Sequence, residues 1–420
     1  MGRTTGFFIF LSILGLIDFY LYGVLKSFIR QSWPAFQKAF PWVFWSIPVV
    51  SLSIIILVFW IYPGVVSPKV RNFLVTAAFI LYTAKFLMTL VLWIGEIWRF
   101  VQYAGQYIVK RGFSSQSTSL ESPTIPRSAF LTQAALALGA TQVGTMTWGI
   151  LSGAHDYRVR RVNLHLPNLP KSFEGMTIAQ ISDIHTGSFF NKRAVQGGID
   201  MLMATKPDAV FFTGDLVNNE AKEATPYIPL FSQVKAPLGV YSVLGNHDYG
   251  DYKDWGSLEA KRQNLQDMKR VHGLLGWKLL EDTHHKLQVA GDQIGILGIQ
   301  NWGMGGFAKY GQLDRALQGT EELPVKLLLS HDPSHWRAQV LGKTSIDASF
   351  AGHTHGMQFG VELGDFKWSP AQYRYKEWAG LYQEEDQKLY VNRGFGYIGY
   401  PGRVGILPEI TLFTLSSQPV

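Results

Sequence analysis

Two kinds of hydrophobic pattern divide this chain. Over the first third, apolar residues come in long runs, at about 6–25, 41–62 (with Ile54-Ile55-Ile56-Leu57), 73–95 and, more mildly, 129–151. Each reaches the roughly 20 apolar residues that a spanning helix needs. The pattern therefore predicts an N-terminal multi-pass transmembrane region over 1–111, a Ser/Pro-rich loop over 112–128, and a fourth span or signal-anchor-like segment over 129–151. Trp and Tyr near the ends of the first three runs fit an interfacial aromatic belt. Beyond about Arg160 the runs shorten and are bounded by Gly, Pro or Asp, which reads as strands. These are Thr177–Ile181, Ala209–Phe212, Gly239–Leu244, Val325–Leu329 and Asp347–Phe350, with an amphipathic helix at Leu258–Gly273. Residues 160–420 thus read as one α/β domain.

Composition sharpens this division. Of 420 residues, 47% are hydrophobic and only 16% charged, and the apolar excess lies in the first third. The net charge of +7 is modest, and no dense basic stripe carries it, so no nucleic-acid partner is expected. Anionic lipid or phosphate is the better match. The chain has no cysteine, which excludes thiolate zinc sites and disulfides. Asp18 and Lys85 fall inside the first and third spans. Two groups are few for an ion path, so they read as a structural pair. Four spans put the N-terminus and the α/β domain on one side of the membrane. Lys and Arg are nearly balanced between the two sides, so the positive-inside rule does not choose.

Five motifs follow five of the strands: Asp183-Ile184-His185, Gly214-Asp215, Gly245-Asn246-His247-Asp248, Ser330-His331-Asp332 and Gly352-His353-Thr354-His355. In α/β folds, ligands bind just beyond the carboxyl ends of strands. The Asp, Asn and His side chains there are enough for two metal ions, and such mixed oxygen and imidazole ligands suit manganese, iron or zinc. Paired ions about 3.5–4 Å apart clamp the oxygens of an in-line phosphoryl displacement. A carboxylate must lie between them, and Asp215 is the natural candidate.

This pattern resembles the calcineurin-like metallophosphoesterases, whose blocks are D-x-H, G-D, G-N-H-[DE], a single His and G-H-x-H. Every block is present, over roughly residues 174–415. The resemblance implies a β-sandwich flanked by helices, in four α/β/β/α layers. It implies one metal held by Asp183, His185, Asp215 and His355, and another by Asp215, Asn246, His331 and His353. His247 would face the substrate, stabilise the phosphoryl oxygens and protonate the leaving group. Asp248 would stand behind these groups, orienting His247 or a ligand. Similar phosphoesterases carry a twin-arginine export signal where this chain has Pro126-Arg127-Ser128-Ala129-Phe130-Leu131, with one Arg. That segment still tilts the expectation toward an extracytoplasmic domain on a bacterial inner membrane.

Other features have plainer readings. Asp332 reads as the cap of the helix opened by Pro333-Ser334-His335-Trp336. His155, His165, His272, His284, His285 and His335 lack partners at ligand spacing. Gly187 and Gly356 read as turn residues. Arg393 and Arg403 are either phosphate clamps or surface residues. The aromatic and basic segment 366–382 either dips into a membrane interface or covers an apolar substrate, or else forms an ordinary hairpin on the core. The reading as a whole is a membrane-bound, two-metal hydrolase of a phosphomonoester or phosphodiester. A phospholipid or a nucleotide-linked lipid would suit its location. The alternative is a metal-binding membrane scaffold or sensor without catalysis. Nothing in the sequence sets the oligomeric state.

Overall fold

The computed structural model describes residues 3–57, 68–112 and 127–419. It comprises two units, residues 1–147 and 148–420.

The first unit is helical: α1 (Arg3–Ser32), α2 (Phe40–Ile56), α3 (Pro68–Gly112) and most of α4 (Arg127–Leu151). Among the described residues, α1 over Thr5–Ser32 and α3 over Val70–Gly105 are long and apolar enough to cross a bilayer. The apolar helix α2 is shorter, and the last residues of the expected 41–62 span lie outside the described residues. Thr132, Gln133, Thr141 and Gln142 interrupt α4 and lower its hydropathy. Most of the Ser/Pro-rich stretch also lies outside the described residues. The helix that carries the expected third span is longer than that span. It runs on through Glu96 and Arg99, which pair one turn apart, to Gly112. Phe8, Phe19, Trp42, Phe73 and Ile94 are exposed on these helices.

Inside the helical unit, Leu21, Leu92 and Ala135 pack together. Gly139 of α4 lets the helix approach Met88, where a Cβ would meet the thioether sulfur at 2.6 Å. Asp18 and Lys85 form a buried ion pair at 2.5 Å, and the Tyr82 hydroxyl donates to the same carboxylate at 3.0 Å. All three groups satisfy one another, which is the only inexpensive way to keep them out of water.

The second unit is built from two six-stranded sheets. The first holds β1 (Arg158–His165), β2 (Thr177–Ile181), β3 (Ala209–Phe212), β4 (Val240–Ser242), β5 (Lys278–Leu279) and β14 (Glu409–Ser416), in the order β1-β14-β2-β3-β4-β5. The second holds β6 (Thr283–Val289), β7 (Asp292–Gly298), β8 (Lys326–Leu329), β9 (Ala348–Ala351), β12 (Gly380–Glu384) and β13 (Gln387–Val391), in the order β12-β13-β9-β8-β7-β6. A hairpin of β10 (Val361–Leu363) and β11 (Phe366–Trp368) stands apart. The inner strands β2, β3 and β4 run parallel, as do β7, β8 and β9.

Strand alternation explains the layering. Along β3, Ala209 and Phe211 enter the core between the sheets, while Val210 and Phe212 enter the outer core. Along β8, Leu327 and Leu329 face inward and Leu328 outward. Strands buried on both faces read as continuous apolar runs. The outer layer on the first sheet is α5 (Lys192–Ala204), the one-turn α6 (Ile228–Phe231) and α7 (Leu258–Leu275); the short α8 (Leu313–Leu317) and the turn around Trp336 cover the second. This is a four-layer α/β sandwich with mixed sheets.

One stability prediction follows from the ion pair. Asp18→Ala strands the Lys85 ammonium and should cost about 3–5 kcal/mol. The double variant Asp18→Ala/Lys85→Met should recover most of that loss. Thermal melts of detergent-solubilised protein test this, and equal melts for the single and double variants would contradict it.

Candidate metal centre

All five motifs occupy loops that begin at strand ends: β2 before Asp183, β3 before Asp215, β4 before Asn246, β8 before His331 and β9 before His353. Both sheets contribute. Bringing the donors to one point requires the chain to turn within two to four residues of each strand, and the backbone bears the cost. Asp183, His185, Asp215, His353 and His355 all adopt left-handed φ, between 49° and 71°. For non-glycine residues this costs on the order of 1–3 kcal/mol each and clusters at functional sites. Gly352 is required by crowding, because a Cβ there would run into Ser182 and the Asp183 carboxylate. Gly356 has a φ of 52°, as a turn glycine should. Gly187 also sits in a tight turn, Thr186–Ser188, though its φ is ordinary, and its missing side chain makes room for Glu223.

The ligand atoms form two groups, Asp183–His185–His355 and Asp215–His331–His353. In the first, His185 Nε2 lies 3.0 Å from His355 Nε2, which is 3.2 Å from Asp183 Oδ1. In the second, Asn246 Oδ1 lies 2.9 Å from His353 Nδ1 and 3.1 Å from His331 Nε2. Asp215 Oδ2 stands between the groups, 3.6 Å from His185 Nε2 and 3.1 Å from His331 Nε2. The outer nitrogens fix how the rings present themselves. His185 Nδ1–H donates to the Val217 carbonyl at 3.2 Å, and His331 Nδ1–H to that of Thr213 at 2.7 Å. Their Nε2 atoms therefore face inward, toward the carboxylate, amide and imidazole atoms of the site. These converging oxygen and imidazole donors fit two divalent ions.

The electrostatics agree. Burial alone would raise Asp183 and Asp215, yet the surrounding imidazoles hold both well below the usual carboxylate range. Burial lowers His185 to about 3. Burial would lower His331 as well, but the Asp215 carboxylate pushes it up to about 10. A proton on His331 thus stands where a metal ion would otherwise balance Asp215.

The remaining motif residues have distinct surroundings. The half-buried His247 donates from Nδ1 to the Asn218 carbonyl at 2.7 Å, and its backbone N–H donates to Asp215 Oδ1 at 2.9 Å. Asp248 does not touch that ring. Its carboxylate accepts the backbone N–H groups of Asp215, Leu216, Val217 and Gly245 at 2.8–3.2 Å. It therefore pins the loop carrying Asp215 to the loop carrying Asn246. Burial and the Asp215 charge push Asp248 up to about 7, against the pull of those N–H donors. Asp332 Oδ1 accepts from Ser334 N at 2.8 Å, a local cap, while Oδ2 lies 3.6 Å from His353 Nε2.

Four more residues, none of them picked out by the motifs, shape the site. The Tyr375 hydroxyl lies 2.8 Å from His353 Nε2. Tyr252 accepts from Asn246 Nδ2 at 2.9 Å and packs on the His247 ring. Asn218 orients His247. Arg403 is fully buried, donates to the carbonyls of Arg393 and Gly396, and approaches His355 Nδ1 at 3.2 Å. Neither expected role for Arg393 or Arg403 holds. Both are interior, and Arg393 is committed to Glu409 and Glu362.

A mixed α/β sandwich with two carboxylate–imidazole clusters sharing one aspartate defines a metal-binding domain of the phosphoesterase class. Comparison with known proteins gives the family. Residues 176–357 match the family described as "Calcineurin-like phosphoesterase", and residues 3–154 match "Probable Calcineurin-like phosphoesterase, transmembrane domain". The chain is 30% identical over 253 residues to the uncharacterized metallophosphoesterase YkuE of Bacillus subtilis, covering 59% of this chain and 82% of that one. It is 28% identical over 293 residues to the bovine transmembrane protein with metallophosphoesterase domain, covering 68% of this chain and 63% of the relative. It is also 25% identical over 304 residues to the UDP-2,3-diacylglucosamine pyrophosphatase LpxG of Chlamydia trachomatis, covering 61% and 89%. The chain belongs to the calcineurin-like metallophosphoesterases.

Two predictions follow. His331 is raised in the metal-free chain, so it contributes stability that is complete below about pH 6.5 and is lost as pH rises toward about 10. Metal displaces that proton, so manganese should abolish this pH dependence, as melts at pH 6 and pH 10 with and without the ion will show. Asp248→Ala frees the Asp215 loop and should weaken metal binding about 10–100-fold. Titration with manganese followed by calorimetry measures this, and unchanged affinity would contradict it.

Proposed function

We propose that this chain is a membrane-bound hydrolase that cleaves a phosphomonoester or phosphodiester, using Asp183, His185, Asp215 and His355 for one metal ion and Asp215, Asn246, His331 and His353 for the other. The observation that carries this reading is Asp215 Oδ2 standing between the two donor groups, within 3.6 Å of a ligand nitrogen in each. Two divalent ions there supply Lewis acidity and lower the pKa of a bound water.

The chain's own residues do the rest. The Asn218 carbonyl holds Nδ1–H of His247, which leaves Nε2 to exchange a proton with substrate. In this reading His247 stabilises the phosphoryl oxygens and protonates the leaving oxygen, work worth typically 10²–10⁴-fold. Tyr252 braces the His247 ring and Asn246 together, and Tyr375 holds His353 from behind.

The substrate class we infer is a lipid-linked phosphoester or pyrophosphate. Two facts support it: the match to a transmembrane family domain and the relative named for a diacylated nucleotide-sugar. We place the catalytic domain on the extracytoplasmic side of a bacterial inner membrane. The signal-like segment from Pro126 to Leu131 and the bacterial relatives support that placement.

Hydrolysis of bis-p-nitrophenyl phosphate and of p-nitrophenyl phosphate, with manganese and with chelator, tests the reaction. Turnover should require metal and vanish in Asp215→Asn. His247→Ala should keep both ions yet lose about 10²–10⁴ in turnover. Absence of turnover on these esters and on a lipid pyrophosphate, with both ions bound, would leave a metal-binding scaffold instead.

A further inference from the structure

The β10–β11 hairpin has its amphipathicity reversed. From Met357 to Leu363 the side chains alternate strictly. Met357, Phe359, Val361 and Leu363 point outward and are exposed, while Gln358 and Glu362 point inward. The return strand completes the pattern. Leu363 pairs with Phe366 and Val361 with Trp368 on the outer face, and Glu362 pairs with Lys367 on the inner one. Leu363 and Phe366 are 72% and 61% exposed, and the neighbouring Tyr373 is 79% exposed. A strand on a soluble domain shows the opposite order, apolar in and polar out.

The inward polar residues are all engaged. Gln358 donates to the Tyr400 and Gly402 carbonyls at 2.7 and 3.0 Å. Glu362 pairs with Arg160 and Arg393. Lys367 donates to the Ala379 carbonyl. The hairpin is thus fastened through its polar face, and its apolar face is presented by design of the sequence rather than by loose packing.

The chain itself indicates what covers that face. The hairpin base is bonded to Val404, through Gly360 N to Val404 O at 2.9 Å and Val404 N to Gln358 O at 2.8 Å. The preceding residue, Arg403, donates its N–H to the Gly149 carbonyl at 3.1 Å. Gly149 lies in the last turns of α4, within the residues matched as a transmembrane domain. The base of the face is therefore tied, within its own unit, to the last turn of α4. Two exposed cations, Arg374 and Lys376, follow Tyr373 along the chain, and charge of that sign is what anionic headgroups attract.

We propose that the outer face of this hairpin is a second membrane contact, resting shallowly in the headgroup layer of an anionic phospholipid bilayer. It lies two residues from the metal-facing His355 at its near end, so it brings the site's rim to the lipid surface. The contact is independent of the reaction proposed above and is tested without turnover.

The chain has no native cysteine, so a single introduced thiol gives a unique label. Leu363→Cys and Phe366→Cys would each carry an environment-sensitive nitrobenzoxadiazole probe, with Leu258→Cys, 74% exposed at the start of α7, as the reference. Full-length protein goes into vesicles of phosphatidylglycerol and phosphatidylethanolamine containing doxyl-labelled lipid. Each labelled protein must melt at the parent temperature. Probes at 363 and 366 should be blue-shifted and quenched several-fold more by doxyl lipid than the probe at 258. Equal quenching at all three positions would overturn the proposal. So would a blue shift at 363 and 366 that appears only as the protein-to-lipid ratio rises, which would make the face a contact between copies.

Discussion

Everything about the catalytic unit answers to one constraint: lone pairs from two different sheets must be held facing one another at about 3 Å. Imidazole nitrogens, carboxylate oxygens and an amide oxygen do not crowd together readily, because acceptors outnumber the hydrogens they can share. The fold forces them together by turning the chain into left-handed backbone at five of the seven donor residues. At about 1–3 kcal/mol each, that strain rivals the net stability of a whole domain. Only a rigid frame can sustain it. The parallel inner strands, buried on both faces, fix where each loop starts, and Asp248 ties the Asp215 loop to the Asn246 loop through four N–H bonds.

Much of this was legible in the sequence, for a physical reason. Metal donors are rare residue types placed at the ends of apolar runs, so pattern and chemistry coincide at Asp183, Asp215 and His353. The layers were legible too, because runs such as Ala209–Phe212 have no polar side and must be covered twice. What escaped was whatever depends on through-space proximity. Tyr375 reaches His353, and Asn218 reaches His247, by folding rather than by spacing. Arg403 is among the most deeply buried side chains, yet along the chain it is one Arg among glycines. The extra length of α3 was hidden by Glu96 and Arg99, which end an apolar run but do not end a helix.

The same logic separates the two buried ionic systems. Asp18 and Lys85 satisfy each other with the help of Tyr82, and leave no lone pair aimed at a missing partner. The cluster at the strand ends instead packs four imidazoles and an amide around two carboxylates, a donor set that could hold metal ions. Buried charge that is internally balanced holds a structure together.

The place of β14 between β1 and β2 has a consequence for how such a protein is made. The strand that completes the first sheet, Glu409–Ser416, follows β2 by roughly 230 residues. At the usual pace of about 5–20 residues per second, a ribosome needs on the order of 10–45 s to cover that distance. Throughout that interval β2 carries an unpaired edge, of the kind that templates association with other chains. The membrane helices have already emerged by then. Each nascent domain therefore waits with one edge open, and closure of its first sheet is timed by the synthesis of β14.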